Sequence, residues 1–273
     1  MVKTIFHLGD LHIPNAIEQY EVKQKNLCKA IIKQAKKYGQ DGLRIVIVGD
    51  IFEGKVKASN EAKKMFHSLL NVLNNICPTY IVAGNHDMLQ NNHSKLDSIA
   101  PTFEIENVYP NVHYLDKDLK YKSGCVVDDN VIFALYSMHD NFSRPNIASV
   151  KKKNPEATVV GLYHGDTPGS TTDIGFMSDS GLPGEAFVGC DCVMAGHIHK
   201  RQELRKEGIP LVYSGSVFQK DFGENTTGHG FEVWDVETLE HQHVEVDNPY
   251  GMYKFRIESY DDVKNDVEKL LNL

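Results

Sequence analysis

The chain is short of several things, and each shortage excludes something. Its longest apolar stretches run to five or six residues, far under the roughly 20 that a helix needs to cross a bilayer. No membrane-spanning helix is expected. The opening MVKTIFHLGD reaches an aspartate before an apolar signal core forms, which argues against secretion. Cysteine is scarce: Cys28, Cys77, Cys125, Cys190 and Cys192 are scattered and odd in number. They read as reduced thiols of a cytoplasmic protein, not as a disulfide framework. Cys190 and Cys192 make a C-x-C, but no second pair stands near them and a closed zinc site wants four ligands. They read as small buried residues ahead of a strand. Positive charge is also in deficit, with 29 Lys and Arg against 37 Asp and Glu and a net charge of −8. That balance argues against a free-standing nucleic-acid binder, which carries a basic face. Three local cationic clusters remain: Lys33, Lys36 and Lys37; Lys151 to Lys153; and Lys200 with Arg201.

What is present is a recurring form. KTIFHLGD, RIVIVGD, TYIVAGNHD, VVGLYHGD, CVMAGHIH and PLVYSGS are short apolar runs, each closed by a polar signature. Such near-continuous runs belong to a sheet covered on both faces. Helical spacing separates the first three. In YEVKQKNLCKAIIKQAKKYG, Leu27, Ile31 and Ala35 step by four before a capping Gly39; in NEAKKMFHSLLNVLNNI, Ala62, Phe66, Leu69, Leu70 and Leu73 share one side. The stretch 112–138 reads as more β-like, with an Asp-Asp-Asn turn between two runs, and 230–246 reads as two strands around Glu237 to Glu240. With 273 residues, the chain divides into one α/β domain over 1–248 and an extension over 249–273. The extension reads as a strand, MYKFRIE, and a helix, DDVKNDVEKLLNL, too short for a core of its own.

The polar endings carry the chemistry. The C-terminal ends of sheet strands form one edge, where ligands bind. Asp10, His12, Asp50, Asn85, His86, His164, His197 and His199 all stand at such endings, nearly all beside a glycine. Any one of them is an ordinary turn residue or a satisfied core histidine. Together they read as a metal site. Imidazole, carboxylate and amide oxygen without thiolate suit divalent Mn, Fe, Zn or Co. Leaving His86 aside, seven donors exceed one tetrahedral ion and fit two ions sharing a carboxylate, the arrangement that clamps a phosphoryl group. His197 and His199, two apart, would point to one side of an extended segment.

In this order, G-D-x-H, G-D, G-N-H-D, H-G-D and G-H-x-H resemble the calcineurin-like metallophosphoesterase superfamily over roughly residues 5–200. The resemblance implies a four-layer α/β/β/α sandwich and assigns roles. Asp10, His12 and His199 resemble ligands of one metal, Asp50 the bridge, and Asn85, His164 and His197 ligands of the other. His86 resembles the residue beside the leaving-group oxygen, a proton donor or transition-state stabiliser. Asp87, next to it, would hold its orientation and charge, or cap the following turn. The metals implied are two divalent ions, Mn²⁺ first, with Fe²⁺, Zn²⁺, Co²⁺ or Mg²⁺ as alternatives.

The flanks resemble a narrower group. GDLHIP, GDIFEGK, GHIHKRQ, then Tyr213, Gly215 and Ser216 in Y-x-G-S and Phe222, Gly223 and Glu224 in F-G-E are similar to SbcD-type nuclease subunits of double-strand-break repair, among them phage recombination endonuclease subunits. That likeness implies DNA as substrate, exonuclease and endonuclease activity, and a partner ATPase of the SbcC type. It places the chain in the cytoplasm, or in a host's cytoplasm if phage-encoded. Lys200 and Arg201 would meet flanking phosphates, or are ordinary surface cations. The extension after residue 249 resembles the entry to a capping region, and the Gly-, Ser- and Asp-rich stretch 166–187 reads as a loop over the site or a surface insertion. The helices at 20–39 and 60–76 could pair two copies, although packing on a sheet explains their apolar faces equally well. Two other activities compete with the nuclease. One is a phosphatase or phosphodiesterase on nucleotides or phosphoproteins; the other is an inactive docking subunit of an ATPase complex.

Overall fold

The computed structural model describes residues 1–253 apart from 56, 90, 91, 93, 94 and 106. Its strands, in chain order, are β1 (Thr4–Gly9), β2 (Leu43–Val48), β3 (Thr79–Val82), β4 (Val112–Tyr114), β5 (Gly124–Asp128), β6 (Val131–Tyr136), β7 (Thr158–His164), β8 (Cys192–Gly196), β9 (Gln202–Lys206), β10 (Ile209–Tyr213), β11 (Gly230–Asp235) and β12 (His241–Glu245). The helices are α1 (Glu18–Tyr38), α2 (Asn60–Asn74), the short α3 (Leu115–Asp118) and α4 (Ile147–Lys153). Two six-stranded sheets form, ordered β12-β11-β1-β2-β3-β4 and β5-β6-β7-β8-β10-β9. Strands β1 to β4 run parallel, as do β6, β7, β8 and β10; β11, β12, β5 and β9 are antiparallel additions.

Alternation along the central strands builds the layers, because successive side chains point to opposite faces. On β2, Ile45 and Ile47 face α1 and α2, whereas Val46 and Val48 face the second sheet. On β6, Phe133 and Leu135 meet the first sheet, and Ile132, Ala134 and Tyr136 face outward to Ile147 of α4 and to Phe187. Three cores thus separate four layers: α1 and α2, the first sheet, the second sheet, and a thin outer layer of α4 and loops. This is the expected α/β/β/α sandwich.

Local chemistry sets the helix ends. The Ser59 hydroxyl accepts from the Ala62 N–H at 3.1 Å to cap α2. Gly39, at φ 83°, ends α1 while its N–H donates to Ala35. The apolar faces of both helices, Leu27, Ile31 and Ala35 on α1 and Phe66, Leu69, Leu70 and Leu73 on α2, are buried against the sheet. Packing therefore accounts for the faces that could have paired two copies. Lys151 to Lys153 form the last turn of α4, where cations favour the helix dipole.

Three elements depart from the sequence expectation. The short helix α3 interrupts the stretch read as β-like. The charged strand β9, QELRK, alternates half-buried and exposed residues at a sheet edge, where no apolar run marks it. Helix α4 was likewise unmarked, being a single short amphipathic piece. Strand β12 ends at Glu245, and the strand and helix expected in the extension fall almost wholly on 254–273, outside the described residues.

A buried ionic cluster ties the edge of the first sheet to the second. Glu232 on β11, fully buried, accepts from His241 Nδ1 at 2.7 Å, His243 Nδ1 at 2.8 Å and Arg201 Nε at 2.5 Å. Burial pushes the Glu232 carboxyl up, but the two histidines and Arg201 outweigh it and hold it well below the usual range. The Glu232 bond raises His241 against its burial. Glu232 therefore contributes stability above about pH 4.3 that is lost as pH falls through its depressed value. His241 contributes stability below about pH 6.5 that is lost as pH rises through its raised value. The stability difference between the wild type and His241→Gln, read from urea midpoints, should be largest between about pH 4.3 and 6.5 and shrink towards pH 9. A difference that grows with pH would contradict this assignment.

Candidate metal centre

The eight polar endings meet at one rim. Asp10 and His12 follow β1, Asp50 follows β2, Asn85 and His86 follow β3, His164 ends β7, and His197 and His199 follow β8. Four of these residues leave their strands in the left-handed region: Asp10 at φ 53°, His12 at 44°, Asp50 at 51° and His197 at 94°. Such backbone costs about 1–3 kcal/mol per residue and is held only where the surroundings over-determine it. They do so here. His12 and Ile13 donate to the carbonyls of Asp50 and Ile51 at 2.9 and 2.8 Å, and the His197 N–H donates to both Asp10 oxygens at 3.0 Å, joining the two sheets. Gly84 is required by close approach, since a Cβ there would stand 2.2 Å from Asp50 N and Oδ1.

The side chains form three overlapping groups whose ligand atoms lie within 4.8 Å of one another: Asp10, His12 and His199; Asp50, His164 and His197; and His12, Asp50 and His86. In the first, His12 Nε2 and His199 Nε2 face each other at 2.9 Å, with Asp10 Oδ1 at 4.0 and 3.9 Å and Asp50 Oδ2 at 3.6 Å from His12. In the second, Asn85 Oδ1 lies 2.7 Å from His197 Nδ1 and 3.2 Å from His164 Nε2, which is 3.3 Å from Asp50 Oδ1. Asp50 thus offers one oxygen to each side.

The far nitrogens decide the tautomers. His199 Nδ1 meets Glu224 Oε1 at 2.6 Å, and His12 Nδ1 meets Glu53 Oε2 at 3.3 Å. With Nδ1 of His199 protonated, its Nε2 lone pair points at His12 Nε2 and towards Asp10. Acceptors converging without a donor fit a shared cation, and a mixed imidazole, carboxylate and amide set fits a divalent one. The crowded carboxylates and imidazoles also shift one another. Burial raises the Asp50 carboxyl, but His164 and His12 hold it well below the usual range. Burial lowers His164, and the Asp50 and Asp10 charges overcome this and lift it to about 9. Burial together with the His164 charge pushes His197 down to about 3.

His86 adjoins the first group, its ring 4.9 Å from that of His12. Its N–H donates to Asp50 Oδ1 at 2.7 Å, and its Nδ1 donates to the Glu53 carbonyl at 2.7 Å. Asp87 does not do what the sequence suggested. Its buried carboxylate accepts from the N–H groups of Gly84 at 2.9 Å, Ile51 at 3.1 Å and Phe52 at 3.0 Å. It braces the Asp50 loop against the Asn85 loop and makes no bond to the His86 ring. Arg201 is engaged by Glu232 through Nε, with its side chain 43% exposed. Lys200 lines a cavity of about 210 Å³ beside His197 and His199, donating to Thr171 Oγ1 at 3.2 Å. Thr172, Asp173 and Ile174 line the same cavity, so the 166–187 stretch borders the site.

Three further histidines lie elsewhere. His7 Nε2 donates to the Ala195 carbonyl, His229 bonds Ser216 and the Asn225 carbonyl, and His139 stands 3.4 Å from buried Asp97. Cys190 and Cys192 are buried, and burial raises both thiols. Sequence reasoning missed the roles of Glu53, Lys220 and Glu224. Lys220 bonds Glu53 Oε2 and lies 3.3 Å from His12 Nδ1. The family likeness touched Glu224 without giving it a role, and tertiary placement alone brings all three to the histidines.

A family model described as calcineurin-like phosphoesterase matches residues 3–201. An uncharacterized protein, R555, of Acanthamoeba polyphaga mimivirus is 30% identical over 262 residues, which cover 94% of this chain and 19% of that protein. The chain thus spans about a fifth of that relative's length. Among solved structures, TT1561 of Thermus thermophilus is similar with TM-score 0.56 and 10% identity, over 90% of this chain and all of that one. The hypothetical protein PH1004 from Pyrococcus horikoshii aligns over 99% and 94% of the two chains with TM-score 0.44 and 13% identity.

The bracing role of Asp87 has a measurable consequence. Asp87→Ala leaves three buried N–H groups without partners, each worth about 1–3 kcal/mol. It should lower the unfolding free energy by at least ~3 kcal/mol in urea. Unchanged stability with reduced turnover would instead make Asp87 the orienter of His86.

Proposed function

Because the chain belongs to the calcineurin-like phosphoesterase family, we propose that it is a two-metal phosphodiesterase that cleaves DNA. In this reading it is the nuclease subunit of an SbcCD-type complex, with an SbcC-type ATPase supplying much of the duplex binding. The observation that carries the metal chemistry is Asp50, whose two oxygens face two separate groups of acceptors. Asp10, His12 and His199 hold one ion, and Asn85, His164 and His197 hold the other. Bound divalent ions, Mn²⁺ foremost, supply Lewis acidity to the phosphoryl oxygens and lower the pKa of a water nucleophile.

The chain's own residues do the rest. His86, its Nδ1–H held on the Glu53 carbonyl, would give the leaving oxygen the Nε2 proton of its imidazolium form and be left as the neutral ring. Lys200 meets a phosphate flanking the scissile one. The choice of DNA rests on the likeness of the Tyr213-to-Glu224 segment to SbcD-type subunits, and the same segment braces His199. Ser216 N–H donates to the His199 carbonyl at 3.0 Å, and Glu224 holds the His199 ring. One observation favours the competing reading, a phosphatase or phosphodiesterase on nucleotides or phosphoproteins. Glu232 engages Arg201, so of the two cations expected to meet a polymer's phosphates, Lys200 alone lines the cavity.

End-labelled linear duplex and single-stranded DNA, incubated with Mn²⁺, separate these readings. The chain should degrade DNA only with the metal, and His86→Ala should be slower by about 10²–10⁴-fold. Intact DNA alongside hydrolysis of bis(4-nitrophenyl) phosphate would favour the small-phosphoester reading. Turnover of neither, with Mn²⁺ bound, would make the chain a docking subunit.

A further inference from the structure

Glu224 is a buried carboxylate that the proposed chemistry does not use. Its side chain is 7% exposed, and it is itself held in place. The Lys220 N–H donates to Oε2 at 2.8 Å, and the Ser216 hydroxyl donates to the same oxygen at 3.4 Å. Oε1 is left to His199 Nδ1 at 2.6 Å. His12 has the same kind of support from Glu53 Oε2 at 3.3 Å, although that carboxylate is 41% exposed and shared with the Lys220 ammonium.

The other side of Asp50 is backed differently. His164 Nδ1 donates to the Val48 carbonyl at 2.8 Å, a neutral acceptor. His197 turns Nδ1 towards Asn85, and its Nε2 lies 3.7 Å from Asp166 Oδ1, beyond hydrogen-bond reach. A carboxylate bonded behind an imidazole fixes the tautomer and strengthens the ring as a ligand, and such partners are worth about 10–100-fold in metal affinity. The two positions differ in this support.

We propose that the two metal positions are unequal, and that Glu224 is the positioning residue that makes the Asp10–His12–His199 position the tighter one. Glu53 plays a lesser part because solvent and Lys220 screen it. The position of Asn85, His164 and His197 loads second and releases its ion first. This rests on the metal-holding part of the proposed function and not on DNA as substrate.

The test is titration of Mn²⁺ into the metal-free full chain, with free Mn²⁺ read by its paramagnetic resonance signal. The wild type should bind in two resolved steps, and His164→Ala should remove the weaker one. Glu224→Gln keeps the shape but removes the charge. It should weaken the tighter step by about 10–100-fold and leave the weaker step in place. Glu224→Asp should restore part of the loss, and matched thermal melting without metal should show both variants folded. Two equal steps in the wild type would overturn the proposal. So would a Glu224→Gln protein that is folded and loses affinity at both steps alike, or at neither. Absence of any Mn²⁺ binding would remove the metal reading altogether. The expected steps without DNA cleavage would leave this inference standing and discard the substrate.

Discussion

The structure turns on a largely buried set of oxygens and imidazoles crowded onto one rim. Asp10, His12, Asp50 and His199 direct oxygens and ring lone pairs into one space, with Asn85, His164 and His197 doing the same across Asp50. A chain does not hold such a set without compensation, because unpaired buried polar groups and charges are costly. Here the compensation has three layers. Backbone N–H groups of His86 and His197 take up oxygens of Asp50 and Asp10. Carboxylates and a carbonyl take up the far nitrogens of His12, His199 and His164. The remaining lone pairs suit divalent cations.

That requirement explains the architecture around it. Two largely parallel sheets bring their strand ends to one rim, and Asp10 of the first sheet accepts the His197 N–H of the second. The Asp87 carboxylate then couples the Asp50 and Asn85 loops through their backbone N–H groups. The loop between β10 and β11 wraps behind His199 and contributes Glu224. A site on this rim is therefore braced from behind, more firmly at His199 than at His197, and the backbone bonds keep its members in the left-handed region that strand ends would otherwise avoid.

Much of this was legible in the sequence because it is local. An apolar run that ends in Gly-Asp or Gly-His needs only its own residues to be recognised, and five such endings converge once the runs are parallel. The pair His197 and His199 shows where locality stops. Spacing by two puts them on one side of an extended strand, yet β8 ends at Gly196 and His197 stands at φ 94°. The two rings then part, His199 towards His12 and His197 towards Asn85. The contacts of Asp87 and Arg201 escaped for the same reason, since they are fixed by tertiary packing: the Ile51 and Phe52 N–H groups of another loop for one, and Glu232 of a distant strand for the other. Glu224 carried a family likeness without a role, because its partner His199 lies 25 positions away. The charged edge strand β9 was silent because a sheet edge does not require an apolar run.

Anomalous diffraction from crystals soaked in Mn²⁺ tests the central claim most directly. The account predicts two metal peaks roughly 3.5–4 Å apart, one among Asp10, His12 and His199 and one among Asn85, His164 and His197, with one Asp50 oxygen on each. A single peak, or a pair in which Asp50 touches one ion alone, would contradict it.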